Sequence, residues 1–315
     1  MKLIKPSFEI REQPSGLEGV YKQIEGAGRV CYKSEDKIAE GTAKAFVDRM
    51  IASGHGAMLE HGTVYLKCKT EAINRYIHPE DGEEESFNEL EKYEYNSYSI
   101  TNDNDEYLYV TTNLRVLVKN NWLDDLQYIC EPTEYHEKRI TVKFICDRGV
   151  SHEFVRHRVF SFAQESTRYC NYSKDKFGNE LTFIIPNWLN LSGSSYGTID
   201  NPLDIQFKEY DDPYEAEFVN GLLGAEFRYM NLLSNWENRT SDKRFKTGFK
   251  GNPWTPQQAR AILPNALKTE LVMTGFVSDW KHFFELRCSP NAHPQARELA
   301  IPLQEEFIAK GYINN

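Results

Sequence analysis

The chain has 315 residues, 40% of them hydrophobic and 27% charged, which suits one large domain or two small ones with a real core. Its formal charge of -10 excludes the basic footprint that non-specific nucleic-acid binding needs, but leaves room for a local basic pocket around one small anion. The start, Met1-Lys2-Leu3-Ile4-Lys5-Pro6, lacks a signal peptide's apolar stretch, and no run of about 18 apolar residues predicts a membrane span. Cys31, Cys68, Cys130, Cys146, Cys170 and Cys288 are scattered without a Cys-x-x-Cys pair, so reduced thiols in a cytoplasmic protein are expected.

In chain order, residues 36–53 read as a helix, with Ile38, Ala45, Phe46 and Met50 on one face and Gly54 as the stop. Gly62 to Lys69 alternates as a strand, with Val64, Leu66 and Cys68 on one side. Residues 79–107, acidic and polar, read mostly as a solvated excursion. Asn113 is a candidate cap for a helix running to about Cys130. Ile140, Val142, Phe144 and Cys146 mark a strand, after which Gly149 turns the chain and Ser151 caps a short helix carrying Arg156. Residues 187–204, rich in Asn, Ser and Gly, predict a loop, and 212–236 a long helix. Thr255-Pro256-Gln257-Gln258 has the N-cap, first-turn proline and capping-box glutamine of a helix start. Further helices are expected at about 266–287 and from Pro294. This mixture predicts an α+β fold, helices packed around one mixed, largely antiparallel sheet, with residues 1–315 forming a single domain.

The densest chemistry lies in Arg156-His157-Arg158-Val159-Phe160-Ser161-Phe162-Ala163-Gln164-Glu165-Ser166-Thr167-Arg168-Tyr169. Guanidinium forks suit phosphate and carboxylate oxygens, and neighbouring aromatics suit a planar ring. By composition alone the segment fits either an anion site for a flat ligand or a solvated basic face with structural ion pairs.

Arg156-His157-Arg158, seven residues and Ser166, followed by Arg168-Tyr169, resembles the signature of the flavin-dependent thymidylate synthases. Three further stretches resemble that family in order. They are Arg29-Val30-Cys31, the stretch from His55 to Glu60-His61, and Arg260-Ala261-Ile262-Leu263-Pro264 with Phe283-Phe284-Glu285-Leu286-Arg287, His293 and Gln295. The resemblance implies reductive methylation of dUMP to dTMP, with 5,10-methylenetetrahydrofolate as carbon donor and FAD reduced by NADPH. It also implies a homotetramer with sites shared between subunits, with no metal, membrane or nucleic-acid partner. His55, Arg156, His157, Arg158, Gln164 and His282 would contact the flavin. Glu153, Arg156, Gln164, Glu165, Ser166, Thr167, Arg168, Arg260 and Arg287 would contact the nucleotide, with Arg287 the catalytic group at uracil. Ser166 is a hydrogen-bonding ligand in this reading, since nothing adjacent activates it as a nucleophile.

The chain departs from the family pattern at Ala57, at Ala163-Gln164 with the acid moved to Glu165, and at Phe276-Val277-Ser278 in place of an Asn-x-Arg element. Those departures leave room for a flavin oxidoreductase or a non-catalytic nucleotide-binding protein on the same scaffold. His152-Glu153 with His157 misses zincin spacing by one residue, and Gly26-Ala27-Gly28 lacks the third glycine of a dinucleotide loop. Cys170 could serve as a nucleophile, but reads more simply as a buried thiol.

Overall fold

A computed structural model describes residues 1–70, 73–77, 84–189, 212–234 and 252–314. Its strands are β1 (Lys2–Ile4), β2 (Ser7–Arg11), β3 (Thr63–Lys69), β4 (Ile73–Ile77), β5 (Glu84–Asn88), β6 (Ile100–Asp103), β7 (Tyr107–Asn113), β8 (Arg139–Asp147), β9 (Ser161–Gln164), β10 (Thr182–Ile184) and β11 (Lys268–Phe276). Its helices are α1 (Gly16–Tyr32), α2 (Thr42–Ala52), α3 (Gly56–Leu59), α4 (Leu114–Asn120), α5 (Arg148–Phe154), α6 (Pro213–Leu233), α7 (Pro256–Ala259), α8 (Val277–Arg287) and α9 (Pro294–Ala309). The fold is α+β, as expected. Among the described residues, however, the strands form four sheets, and the single parallel pair is β1 with β10.

The central sheet has the antiparallel order β2-β8-β11-β9. Its strands alternate in chemistry. Ile140, Val142, Phe144, Cys146, Leu271 and Met273 pack against Trp280, Phe283 and Phe284 of α8 and Leu299, Leu303 and Phe307 of α9. The intervening positions carry Thr141, Lys143, Glu270, Val272 and Thr274 toward the α1 side, where Val272 meets Ala27 and Val30. A second core joins α1, α2 and α4 to β3 and β7 through Val20, Ile24, Phe46, Val64, Leu66, Val110 and Leu117. A third unites β1 and β10 with α6.

Several local expectations change. The first predicted helix begins only at Thr42, because Gly41 takes a left-handed φ of 78°; its buried residues are Ala43, Phe46 and Val47, while Ile38 is exposed. Gly54, at φ 70°, follows the helix end as expected. The 79–107 excursion, where described, is not simply solvated: Leu90 and Tyr93 are fully buried, and 100–103 pairs with β7. Asn113 does cap α4, accepting from Val116 N at 3.3 Å, but Asn121 adopts φ 60° and the chain resumes as a 3-10 turn, Leu123–Tyr128. Asp147 rather than Ser151 caps α5, its Oδ1 accepting from Val150 N at 2.7 Å. The helix expected over 266–287 is half strand: β11 runs through Phe276, and Asp279 accepts from Phe276 N to start α8. The predicted loop at 187–204 falls outside the described residues beyond position 189. The helix starts near 213, at Pro256 and at Pro294 are observed. No helix among the described residues is long and apolar enough to cross a membrane.

One close approach positions the motif. A Cβ on Gly275 would lie 2.5 Å from Phe160 Cδ1, so the missing side chain lets Phe160 lie flat on β11 at the turn into β9. Gly275→Ala is therefore expected to lower stability by about 1–3 kcal/mol through overpacking, read as a fall in the urea midpoint at unchanged slope.

Candidate active site

The site grows from two connections. The β8-to-β9 segment passes through α5 and carries the Arg-His-Arg motif, while β11, hydrogen-bonded between those two strands, leads straight into α8. The last turn of α8 thereby meets the motif. Their side chains line one open cleft of about 640 Å³, which includes Glu153, Arg156, His157, Arg158, His282 and Arg287.

Arg287 is the most constrained of these. Its Nε donates to His157 Nε2 at 2.9 Å, Nη1 to Glu153 Oε2 at 2.8 Å, and Nη2 to the Glu153 carbonyl at 2.6 Å. Accepting at Nε2 requires His157 to be neutral and to carry its proton on Nδ1. Burial first, and then the Arg287 and His282 charges, push the His157 pKa down to about 4, with Glu153 opposing. Arg156 and Arg158 differ: both are exposed, and Arg156 reaches Glu153 Oε1 only at 3.5 Å. His282 is exposed on α8 beside Glu285, at 3.3 Å. Asp147 steadies this end of the fold, because its second oxygen accepts from buried Gln295 at 2.6 Å.

The remaining predicted residues gather elsewhere. Ser166 N donates to the Cys31 carbonyl at 2.9 Å, and Ser166 Oγ accepts from Arg168 N at 3.3 Å. Arg260 Nη1 donates to Thr167 Oγ1 at 3.4 Å, and exposed Arg168 donates to Gln257 at 2.9 Å. This second group joins the end of β9 to α7 and to the turn after it. Gln164 is engaged internally, since its Nε2 donates to Ser151 Oγ and Thr269 Oγ1, and it is not among the cleft-lining residues. Glu165 points inward: it is buried, accepts from Tyr172 Oη at 2.9 Å and pairs with Lys268 at 2.8 Å. Its carboxylate thus serves an internal ion network rather than an open site. His55 stands exposed at the N-terminus of α3 and is not among the cleft-lining residues. His152 is exposed on α5, while Glu153 and His157 turn to Arg287.

Sequence reasoning missed two features. Val159, Glu285, Leu286, Ser289 and Asn291 also line the cleft; closeness in sequence to Arg158 or Arg287 was the available signal. The second is the network behind Ser166, where Lys268 and Lys33 meet Glu270 Oε1 at 2.6 and 2.7 Å and Lys143 meets Oε2 at 2.5 Å. Cys170 lies beside this network, 2% exposed, and burial first, then Glu165, raises its pKa to about 12. A thiol so reluctant to ionise is a poor nucleophile. Cys170→Ala is expected to keep at least about half of the wild-type turnover, assayed by product formation.

Comparison with known proteins gives the lineage. The chain is 30% identical over 154 residues to a flavin-dependent thymidylate synthase of Corynebacterium diphtheriae, covering 49% of this chain and 50% of that one. Proteins of the same name from Mycolicibacterium gilvum and Mycobacterium marinum match at 29% and 30% over 163 residues, covering 51% of this chain and 54% of each relative. The chain thus spans about half the length of the curated relatives it matches. The crystal structure of a UMP/dUMP methylase from Streptomyces cacaoi bound with 5-Br dUMP covers 98% of this chain and 93% of its own. At 14% identity and a TM-score of 0.34, that likeness is too slight to bear on fold or site. The family described as thymidylate synthase complementing protein matches residues 132–310, which hold the central sheet from β8 onward and every cleft-lining residue, and the chain belongs to that family.

Proposed function

We propose that this protein is a flavin-dependent thymidylate synthase, methylating dUMP to dTMP with 5,10-methylenetetrahydrofolate as carbon donor and FAD reduced by NADPH. The observation that carries this reading is the convergence of Arg156, His157 and Arg158 with His282 and Arg287, from segments more than a hundred residues apart, on one cleft. Its volume, about 640 Å³, lies in the range of small-molecule sites.

The residues present fit the flavin by their donor chemistry. Arg156 and Arg158 present guanidiniums to solvent, which suit the oxygens of a diphosphate. Beside them, His157 offers a neutral ring held against Arg287. When bound, the flavin supplies the reducing equivalents of the reaction. The chain's own residues do the rest. Arg156 and Arg158 anchor phosphate at the cleft mouth. Arg287, fixed by three hydrogen bonds, stands ready to stabilise negative charge on the uracil ring. Ser166, Arg168 and Arg260 hold the nucleotide phosphate, and Ser166 acts as a ligand, since its Oγ accepts from Arg168 N. We place the assembly as a cytoplasmic homotetramer in which neighbouring subunits cover the open cleft. Light scattering on the purified protein tests that assignment.

The deciding assay is tritium release from [5-3H]dUMP with folate, NADPH and FAD, each omitted in turn. Release that requires both folate and FAD supports the synthase. Flavin reduction by NADPH without release would refute methyl transfer and leave a flavin oxidoreductase.

A further inference from the structure

We propose that Glu153 is an internal counter-ion of Arg287 that competes with the substrate's acceptor edge for that guanidinium. The inference rests on the synthase reading above and makes Glu153, expected to contact the nucleotide, a residue that opposes substrate binding.

Three cations line the cleft, and they are not equivalent. Arg156 and Arg158 are exposed, whereas the Arg287 side chain is only 13% exposed. One of its three bonds, from Nη2, runs to the Glu153 backbone carbonyl, and another, from Nε, runs to His157. The Glu153 carbonyl is backbone of α5, and the His157 ring is buried against Phe283. Only the third, Nη1 to Glu153 Oε2 at 2.8 Å, uses a carboxylate on a rotatable stem, and that side chain is 33% exposed. The same carboxylate's other oxygen lies 3.5 Å from Arg156 Nη1. Glu153 thus sits between two arginines, able to leave Arg287 for Arg156 by side-chain rotation alone. Glu285, the other acid lining the cleft, faces His282 and not Arg287.

A planar ligand edge that accepts from a guanidinium, such as a carbonyl of a pyrimidine imide, competes with the Glu153 carboxylate for the charge and the Nη1 donor of Arg287. Binding then competes with an internal ion pair and is weaker than the cleft's cations alone would give. A substrate ring that turns anionic competes best, because it restores the lost charge contact.

The test measures dUMP binding by calorimetry on the FAD-loaded protein for wild type, Glu153→Gln and Glu153→Asp. Glutamine keeps size and an acceptor but removes the charge, so dUMP should bind about tenfold tighter, with KM falling in step. The gain should be larger for 5-fluoro-dUMP, whose ring gives up its N3 proton more readily. Glu153→Asp keeps the charge and should show no gain, which separates charge competition from altered packing. Equal or weaker binding by folded Glu153→Gln, or an equal gain in Glu153→Asp, overturns the inference and leaves the synthase reading standing. A wild-type holoprotein that binds no dUMP would instead sink the synthase reading, and this inference with it.

Discussion

Replacing Arg287 by alanine is expected to abolish dTMP formation, by about 10²–10³-fold or more in kcat, while the protein stays folded. The loss follows from the geometry. Arg287 is the least exposed arginine of the cleft, its side chain 13% exposed, and its guanidinium is held in place by Glu153 and His157. The fold survives because Arg287 ends α8, and the glutamate it leaves behind is 33% exposed and can hydrate. The substitution also carries a readout independent of turnover. Burial, then the Arg287 charge, depresses the His157 pKa to about 4; without Arg287 that value should rise. In the wild type, the unfolded chain binds the His157 proton more readily, so this residue's contribution to stability is present above about pH 6.5 and lost toward pH 4. In the variant the loss should be smaller. An NMR titration of His157 measures the shift, and a soluble Arg287→Ala protein with normal turnover would refute its role.

The largest stability change should come from Glu270→Gln, at about 3–5 kcal/mol in urea unfolding. Glu270 is the shared counter-ion of Lys33, Lys143 and Lys268, each side chain no more than 20% exposed. Removing its charge leaves Lys33 with Glu35 and Lys268 with Glu165, and takes the paired carboxylate from Lys143, in a region where uncompensated charge is costly. The pH dependence gives a second check. Burial alone would raise the Glu270 pKa, but the Lys268 charge and the lysine hydrogen bonds hold it well below the usual carboxylate range. A depressed carboxylate contributes stability above its unfolded value, about 4.5, and loses it as the pH falls toward the folded value. Wild-type stability should therefore drop steeply below about pH 4.5, and the variant's much less. Coincident acid limbs for the two proteins would show that the network contributes little.

How far the sequence could be read depended on whether a residue's partners were near it in the chain. Arg156, His157 and Arg158 form a linear motif, and the C-terminal half of α8 holds both His282 and Arg287, so the cleft's cations were visible before any coordinates. Asn113 and Thr255 announced their helices through local capping chemistry. The β11 segment did not: Lys268 and Glu270 are charged residues in a strand that is buried on both faces, and their partners Lys33, Lys143 and Glu165 lie far off in sequence. Tertiary pairing overrode what looked like the first half of a helix. The inward turn of Glu165 was hidden for the same reason, because strand alternation gives its side, and only Lys268 and Tyr172 explain why an acid is tolerated there.

The strand order also dictates when the protein can fold during synthesis. The second core draws on residues between Leu17 and Ile129, so it can collapse once that stretch has left the ribosome. The central sheet cannot follow at once. Ser7 of β2 waits for Ile145, and β8 then waits for Lys268–Phe276 of β11, which alone connects it to β9. At ordinary translation speeds that interval is on the order of ten seconds, during which β8 carries an unpaired apolar edge. The same long-range pairing that brings Arg287 to the motif leaves the nascent chain open to mispairing over that window, and points to slow refolding in vitro.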